Sequence, residues 1–432
     1  MSERSPLIYW LVLTALTLGL ILLGLALFKG EALAMALPLA VYWLAGLVAR
    51  PDAPRLRVER QLSATQAVCG APVTVRLMLT NLGGRLEQVE IEDGLPPGVE
   101  VVSGEPRRLL TALAPGSAAE LTYTVRCRHG LFQFDAVNVI ASDYLSLAPR
   151  TLTLSAPGEL AVRPEVVRLP RLQLRPRHTG VYAGLIATRQ GGAGLTFFGV
   201  REYQAGDDLR HINWHASARH AQALFTNEFQ QERATDIGVI LDVRWRSQAL
   251  AGATEFFEQS VMAAASLAES FLLDGNRVGV MLYGRALLDW TFPAYGRPQR
   301  ERIVQALMRA RLGAQHAFDR LEYLPTRFFA PGSQIVYVSP LLKEDVPVLV
   351  QLRARGYAVL VVSPDPVAFE ARQLGGPAGA AAVQLAARIA RLERDLLLEQ
   401  LQQADVRVLD WDLAAPLEQA VGSFARRFQS WA

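Results

Sequence analysis

An uncharged stretch of 22 residues, Leu7 to Phe28, stands at the N-terminus, and 18 more, Ala32 to Ala49, follow after Lys29-Gly30-Glu31. A helix rises ~1.5 Å per residue, so each run has the length to cross a hydrocarbon core ~30 Å thick, and the short connector folds them into a hairpin. Arg4 precedes the first run, and Arg50, Arg55, Arg57 and Arg60 follow the second. The positive-inside rule then predicts a multi-pass protein of the plasma (inner) membrane, with both termini and all later domains cytoplasmic. Ala15, Gly19, Ala36 and Ala40 are the small residues expected to let the helices approach. A cleaved signal peptide ending at Ala34-Met35-Ala36 is the competing reading, but its apolar core is ordinarily about 7–15 residues, shorter than this run.

Over its 432 residues the chain is 51% hydrophobic and 20% charged, which excludes wholesale disorder and leaves room for further domains. With 44 basic against 41 acidic residues the net charge is +3, so no nucleic-acid partner is expected. Cys69 and Cys127 are too few for a disulfide scaffold and form no Cys-x-x-Cys pair; in a reducing cytoplasm they are expected as free, buried thiols.

Residues 55–167 alternate polar and apolar in short runs, among them Val73 to Thr80, Leu121 to Cys127 and Phe132 to Ile140. Gly and Pro turns separate these runs, and the pattern predicts an all-β, immunoglobulin-like sandwich. No cluster of titratable residues stands out in it, so it reads as a spacer or interaction module. Residues 168–198 read as a basic linker. Over Ala161 to Arg189, Arg163, Arg168, Arg171, Arg175, Arg177 and Arg189 face Glu165 alone, a composition suited to a lipid-surface sensor or a solvated tether. Gln190 to Gly194 reads as a flexible joint.

Residues 236–432 change period again. Ile237 to Leu241, Gln334 to Val338 and Tyr357 to Val362 are strands buried on both faces, and Phe257, Val261, Ala264, Ala268 and Phe271 recur at helical spacing. The expectation is a doubly wound α/β domain. Its order of elements resembles the von Willebrand factor A-like fold, whose metal-binding members carry Asp-x-Ser-x-Ser after the first strand. Asp242 aligns with that aspartate, but Arg244 and Arg246 stand at the serines, so a degenerate site with no metal and no cofactor is expected. Asp242, Arg244 and Arg246 are then candidate partner contacts, with Arg244 a fixed cation for a partner's carboxylate, but the favoured reading is that both arginines are solvated or pair with nearby acids.

Between linker and sheet, residues 199–235 hold the most specific motif. Gly206 suits a left-handed turn, Asp207 or Asp208 can cap the helical stretch beginning at Leu209, and Ile212, Trp214 and Ala218 are expected to anchor it on apolar surface. Arg201, Arg210 and Arg219 beside the two carboxylates suggest a paired network. Gly199, Arg201, Tyr203, Gly206, Asp207, Asp208, Arg210, Ile212, Asn213, Trp214, Ala218 and Arg219 together resemble the signature of the membrane-anchored domain of unknown function 58 family, with Asn213 where an Asp is usual. Membership implies no established reaction but a frequent partner, a MoxR-type AAA+ ATPase. The expected function is therefore a non-catalytic, membrane-anchored adaptor that recruits a cytoplasmic ATPase for complex assembly or envelope-related processes. The alternative from a different class is a metal-dependent hydrolase, because His211 and His215 at i, i+4 can hold zinc on one helical face.

Overall fold

A computed structural model describes residues 6–28, 30–48, 54–142, 149–172, 186–220, 223–233, 236–248, 252–284, 290–313, 321–324, 328–374 and 380–429. The chain divides into two compact units, Met1–Val162 and Arg163–Ala432.

The first unit opens with helices α1 (Pro6–Ala26) and α2 (Gly30–Val48), which pack on each other. Their close approach falls at Gly24, where a Cβ would lie 2.8 Å from Leu33 Cγ, and not at Gly19, which has open space around it. Among the described residues no helix is long and apolar enough to cross a membrane, which overturns the expected transmembrane hairpin and the multi-pass inner-membrane placement built on it.

The sandwich comprises β1 (Leu56–Leu62), β2 (Gln66–Val68), β3 (Pro72–Asn81), β4 (Gln88–Asp93), β5 (Val99–Ser103), β6 (Arg107–Leu110), β7 (Ala118–Cys127), β8 (Gly130–Ser142) and β9 (Arg150–Arg163). One sheet runs β1-β3-β7-β5 and the other β2-β9-β8-β4-β6, and the pairs β1-β3, β3-β7, β7-β5, β9-β8, β8-β4 and β4-β6 are antiparallel. Alternation does the sorting: Val73, Val75, Leu77 and Leu79 point inward from β3 and meet Leu121, Tyr123 and Val125 of β7 in one core. Each fully buried Val or Leu contributes ~1.5–3 kcal/mol of transfer free energy.

That core also holds charge, contrary to the expectation of a sandwich without clustered titratable groups. Arg60 donates to Asp93 and to the Ala156 carbonyl, Tyr123 donates to Asp93, and the Arg60 and Asp93 side chains are fully buried. Burial raises the Asp93 carboxyl despite the hydrogen bond from Tyr123 and the Arg60 charge. Arg60, Asp93 and Tyr123 lie on three strands, so spacing along the chain gives no hint that they meet. Cys69 and Cys127 are not disulfide-bonded; Cys127 is buried as expected but Cys69 only half-buried, and burial, with Cys69 nearby, pushes the Cys127 thiol up to about 11.

The second unit begins with an extended stretch that lies on the α/β core. The Val167 N–H donates to Ser266 Oγ at 2.9 Å, and Leu172 is buried. Arg163 pairs with Glu301 and Arg171 with Asp274. Arg175, Arg177 and the Arg189 side chain fall outside the described residues. β10 (Ile186–Glu202) and β11 (Phe225–Arg233) then form an antiparallel ribbon, so the expected linker is strand from residue 186 on, including the expected joint at 190–194, with register breaks between Ala187 and Gly191 and between Gly192 and Phe197.

The main sheet contains β12 (Asp236–Asp242), β13 (Arg277–Tyr283), β14 (Trp290–Ala294), β15 (Gln334–Val338), β16 (Ala358–Pro364) and β17 (Arg407–Trp411). Their order is β14-β13-β12-β15-β16-β17, parallel except for β14. Val239 and Leu241 face a core shared with helices α4 (Ala253–Leu273), α5 (Arg297–Met308) and α9 (Leu417–Gln429). Ile240 and Tyr337 face the opposite core with α6 (Asp345–Ala354) and α8 (Ala380–Gln403). Helix α7 (Pro366–Leu374) follows β16. Helices thus cover both faces, and the order reverses at β12 and β15, whose carboxyl ends form the crevice such a sheet offers a ligand.

Candidate functional site

The crevice is occupied by the protein itself. Asp242 ends β12, and its Oδ1 accepts the Arg244 backbone N–H at 3.0 Å, turning the chain sharply. The turn is pinned from both sides: Val243 N donates to Tyr283 O at 2.7 Å, Gly313 N to Val243 O at 2.8 Å and Trp245 N to Gly313 O at 3.1 Å. Gly284, at φ 120°, makes room, since a Cβ there would lie 2.4 Å from Arg244 Cγ.

So held, the Arg244 guanidinium lies between two carboxylates. Nε donates to Asp242 Oδ1 at 2.9 Å and Nη2 to Asp242 Oδ2 at 2.8 Å; Nη1 donates to Asp345 Oδ1 at 2.9 Å and Nη2 to Asp345 Oδ2 at 2.6 Å. Tyr337 accepts from Nη2 at 2.8 Å, while Ser339 Oγ donates to Asp242 Oδ2 at 2.7 Å and Leu342 N to Asp345 Oδ2 at 3.0 Å. Arg244 is 1% exposed and both aspartates are fully buried. Burial opposes ionisation of Asp242, but Arg244 and the Ser339 hydroxyl hold its carboxyl below the ordinary range. Asp345 is raised, first by burial and then by the Asp242 charge, despite Arg244, as expected where two carboxylates share one cation. The bond set is a clasp of β12, β15 and the start of α6.

Of the two readings of Arg244, pairing with nearby acids is the one the structure shows, and the partner contact is corrected. The carboxylate it grips is Asp345 of its own chain, so the bidentate site is filled from within and closed to solvent. Arg246 is more than half exposed and lies 4.0 Å from Glu344. Tyr337, Ser339 and Asp345 were not singled out from the sequence; Asp345 stands 101 residues from Arg244, and the one signal is its place at the first turn of the helix after a buried strand. A neighbouring cluster was missed likewise. Arg394, nearly buried on α8, donates to Pro340 O, Ser363 Oγ and Asp410, while Asp365 caps α7 and pairs with Arg391.

The signature segment folds on the ribbon. Gly206 takes φ 114°. Arg201 grips Asp207 with two bonds of 2.8 and 2.7 Å and reaches Glu228 at 3.6 Å, and Asp207 also accepts the Gln204 N–H. The Arg201 and Gln204 bonds lower the Asp207 carboxyl. Asp208 caps a 3-10 turn, Leu209–His211, through Arg210 N. Asn213 caps the short helix α3 (Trp214–Ser217), accepting from Ala216 N at 2.9 Å, and its amide donates to Asn227 at 2.8 Å. An aspartate could make the first bond but not donate the second.

Ile212 is buried and bridges to Thr226, as an anchor should, and Tyr203 is half-buried with its N–H on Leu224 O. Trp214, expected as an anchor, is instead 69% exposed, and Leu209 beside it 67%. Ala218 is exposed. The expected three-arginine network reduces to Arg201, since Arg210 and Arg219 are exposed and make no ion pair among the described residues. The histidines do not share a helical face: His211 closes the 3-10 turn, Ile212 is extended at ψ 124°, and His215 belongs to α3. Among the described residues no group of His, Cys, Asp and Glu is placed to hold a metal.

The second unit is therefore an open, doubly wound α/β domain whose ligand crevice is sealed by a buried arginine, preceded by a capped loop on a β-ribbon. Residues 199–368, which span that loop and most of the sheet, match the family described as Protein of unknown function DUF58. The "Uncharacterized protein YeaD" of Bacillus subtilis (strain 168) is 29% identical over 255 residues, 58% of this chain and 61% of its own length. Both likenesses support the DUF58 family for this part of the chain. Among solved structures, an Escherichia coli alpha-2-macroglobulin spanning domain MG7 to the C-terminus covers 27% of this chain and 17% of its own at 19% identity and a TM-score of 0.23. The CARDB domain of the PF1109 protein from Pyrococcus furiosus covers 26% of this chain and 90% of its own at 14% identity and a TM-score of 0.19.

Proposed function

We propose that the protein is a non-catalytic adaptor whose signature loop docks a partner, with a MoxR-type AAA+ ATPase as the partner that the family resemblance favours. The observation that carries this reading is the solvent-facing Trp214 and Leu209 on a loop locked by Arg201–Asp207 and by two side-chain caps. A large aromatic held in place binds at low entropic cost, which is why Trp dominates interface hot spots. Arg210 and Arg219 stand exposed around it while Asp207 and Asp208 are spent on internal bonds. That charge distribution suits an acidic, apolar partner surface. A von Willebrand factor A-like lineage, suggested by the strand order, fits the same reading: Arg244 stands where metal-dependent relatives would place their ion, and adhesion moves from the sheet edge to the loop. The test is binding of the purified chain to a purified MoxR-type ATPase. Trp214→Ala and Arg210→Glu should each weaken it about tenfold or more. Undiminished binding by both variants, or no binding by the unaltered chain, sinks the proposal.

A further inference from the structure

Helix α8 carries apolar side chains on two opposite faces. Leu398 and Leu401 are buried, and Arg394 reaches the sheet edge beside them. On the other side Leu385, Ile389, Leu392 and Leu396 are exposed by 60%, 53%, 66% and 58%. Their spacing of four, three and four residues keeps all of them within an arc of about 60°, centred about 180° from the buried face. A surface helix that needed only the sheet would show one such stripe; this one shows a second at heptad spacing.

We infer that this stripe is a coiled-coil seam that pairs α8 with α8 of a second copy of the chain, parallel and in register. Ile389 and Leu396 take the a positions and Leu385 and Leu392 the d positions, so the stripe combines a β-branched residue at one a with leucine at both d positions, a combination that favours two-stranded pairing. The flanking charges name the same occupant. Arg388 falls at g and Glu393 at the e position five residues on, the two that face each other across a parallel dimer, so the two-fold axis brings Arg388 of each copy to Glu393 of the other. Both are exposed and make no ion pair among the described residues, whereas Asp395, the residue an antiparallel arrangement would use, pairs with Arg391 of its own helix. The seam is short beside the ~1,600 Å² of a standard interface, so the dimer should dissociate in the micromolar range.

Sedimentation velocity of the full chain across a concentration series tests this. The chain should pass from monomer to dimer, and Ile389→Glu should leave it monomeric with an unchanged melting temperature, since that side chain touches no core. Arg388→Glu should weaken the dimer about tenfold, and adding Glu393→Arg should restore it. A chain monomeric at every concentration, or a dimer that survives Ile389→Glu, overturns the seam. Rescue of Arg388→Glu by Asp395→Arg instead of Glu393→Arg overturns the parallel register.

Discussion

Arg244 is a covalently tethered cation at the carboxyl ends of β12 and β15. A guanidinium cannot leave or be deprotonated in a protein, so the crevice at β12 and β15 keeps its cation under all conditions. Arg244→Met would leave Asp242 and Asp345 facing each other without it, a loss of about 3–5 kcal/mol that urea unfolding would register. The sign of its pH dependence follows. Without Arg244, burial raises both carboxyls, and a group with a raised folded pKa gives stability that is present at low pH and lost as pH rises through the folded value. The variant should therefore gain stability on moving from pH 7 toward pH 4; an unchanged slope would show that the carboxylates find another counter-charge. Cys127 shows the same sign at alkaline pH. Its thiol is pushed from 9.0 up to about 11, so its contribution is complete below pH 9 and fades between pH 9 and 11. In the folded chain it should react with a thiol reagent far more slowly than Cys69.

At the scale of the element, caps and turns shape the signature loop more than packing does. Asn213→Ala removes the cap of α3 and the bond to Asn227, and should cost about 1 kcal/mol, read as faster amide exchange at Ala216. Asp207 behaves oppositely to Cys127. Its carboxyl is lowered, so the order it imposes on the loop is present above the ordinary carboxylate range and lost as pH falls through its folded value; exchange at Gln204 should speed up there. Periodicity was a sound guide to elements: Phe257, Val261, Ala264, Ala268 and Phe271 are all buried on α4, and β12, β15 and β16 lie where three apolar runs placed them. It failed at Trp214, because a large apolar residue near a cap motif says nothing about which side of a four-residue helix meets the rest of the chain. It failed again at His211 and His215, where a spacing of four means one face only if the helix is continuous, and Ile212 breaks it.

For the whole molecule, two compact units with separate cores should unfold in two transitions. Calorimetry of Arg244→Met should lower only one of them, since the clasp lies wholly in residues 163–432, and Arg60→Met should lower only the other. A single transition shifted by both variants would mean that the units fold as one. The sequence by itself determined what depends on neighbours along the chain: alternation in the sandwich strands, helical period in α4, the left-handed turn at Gly206 and a carboxylate cap before Leu209, which Asp208 supplies. Only the tertiary structure decided the rest. Whether Arg244 serves a partner or its own chain turns on Asp345, 101 residues away, and whether the sandwich hides charge turns on Arg60 meeting Asp93 and Tyr123. Such pairs are set by sheet order and register, and the energy that joins two groups depends on their distance in space and on the water excluded between them.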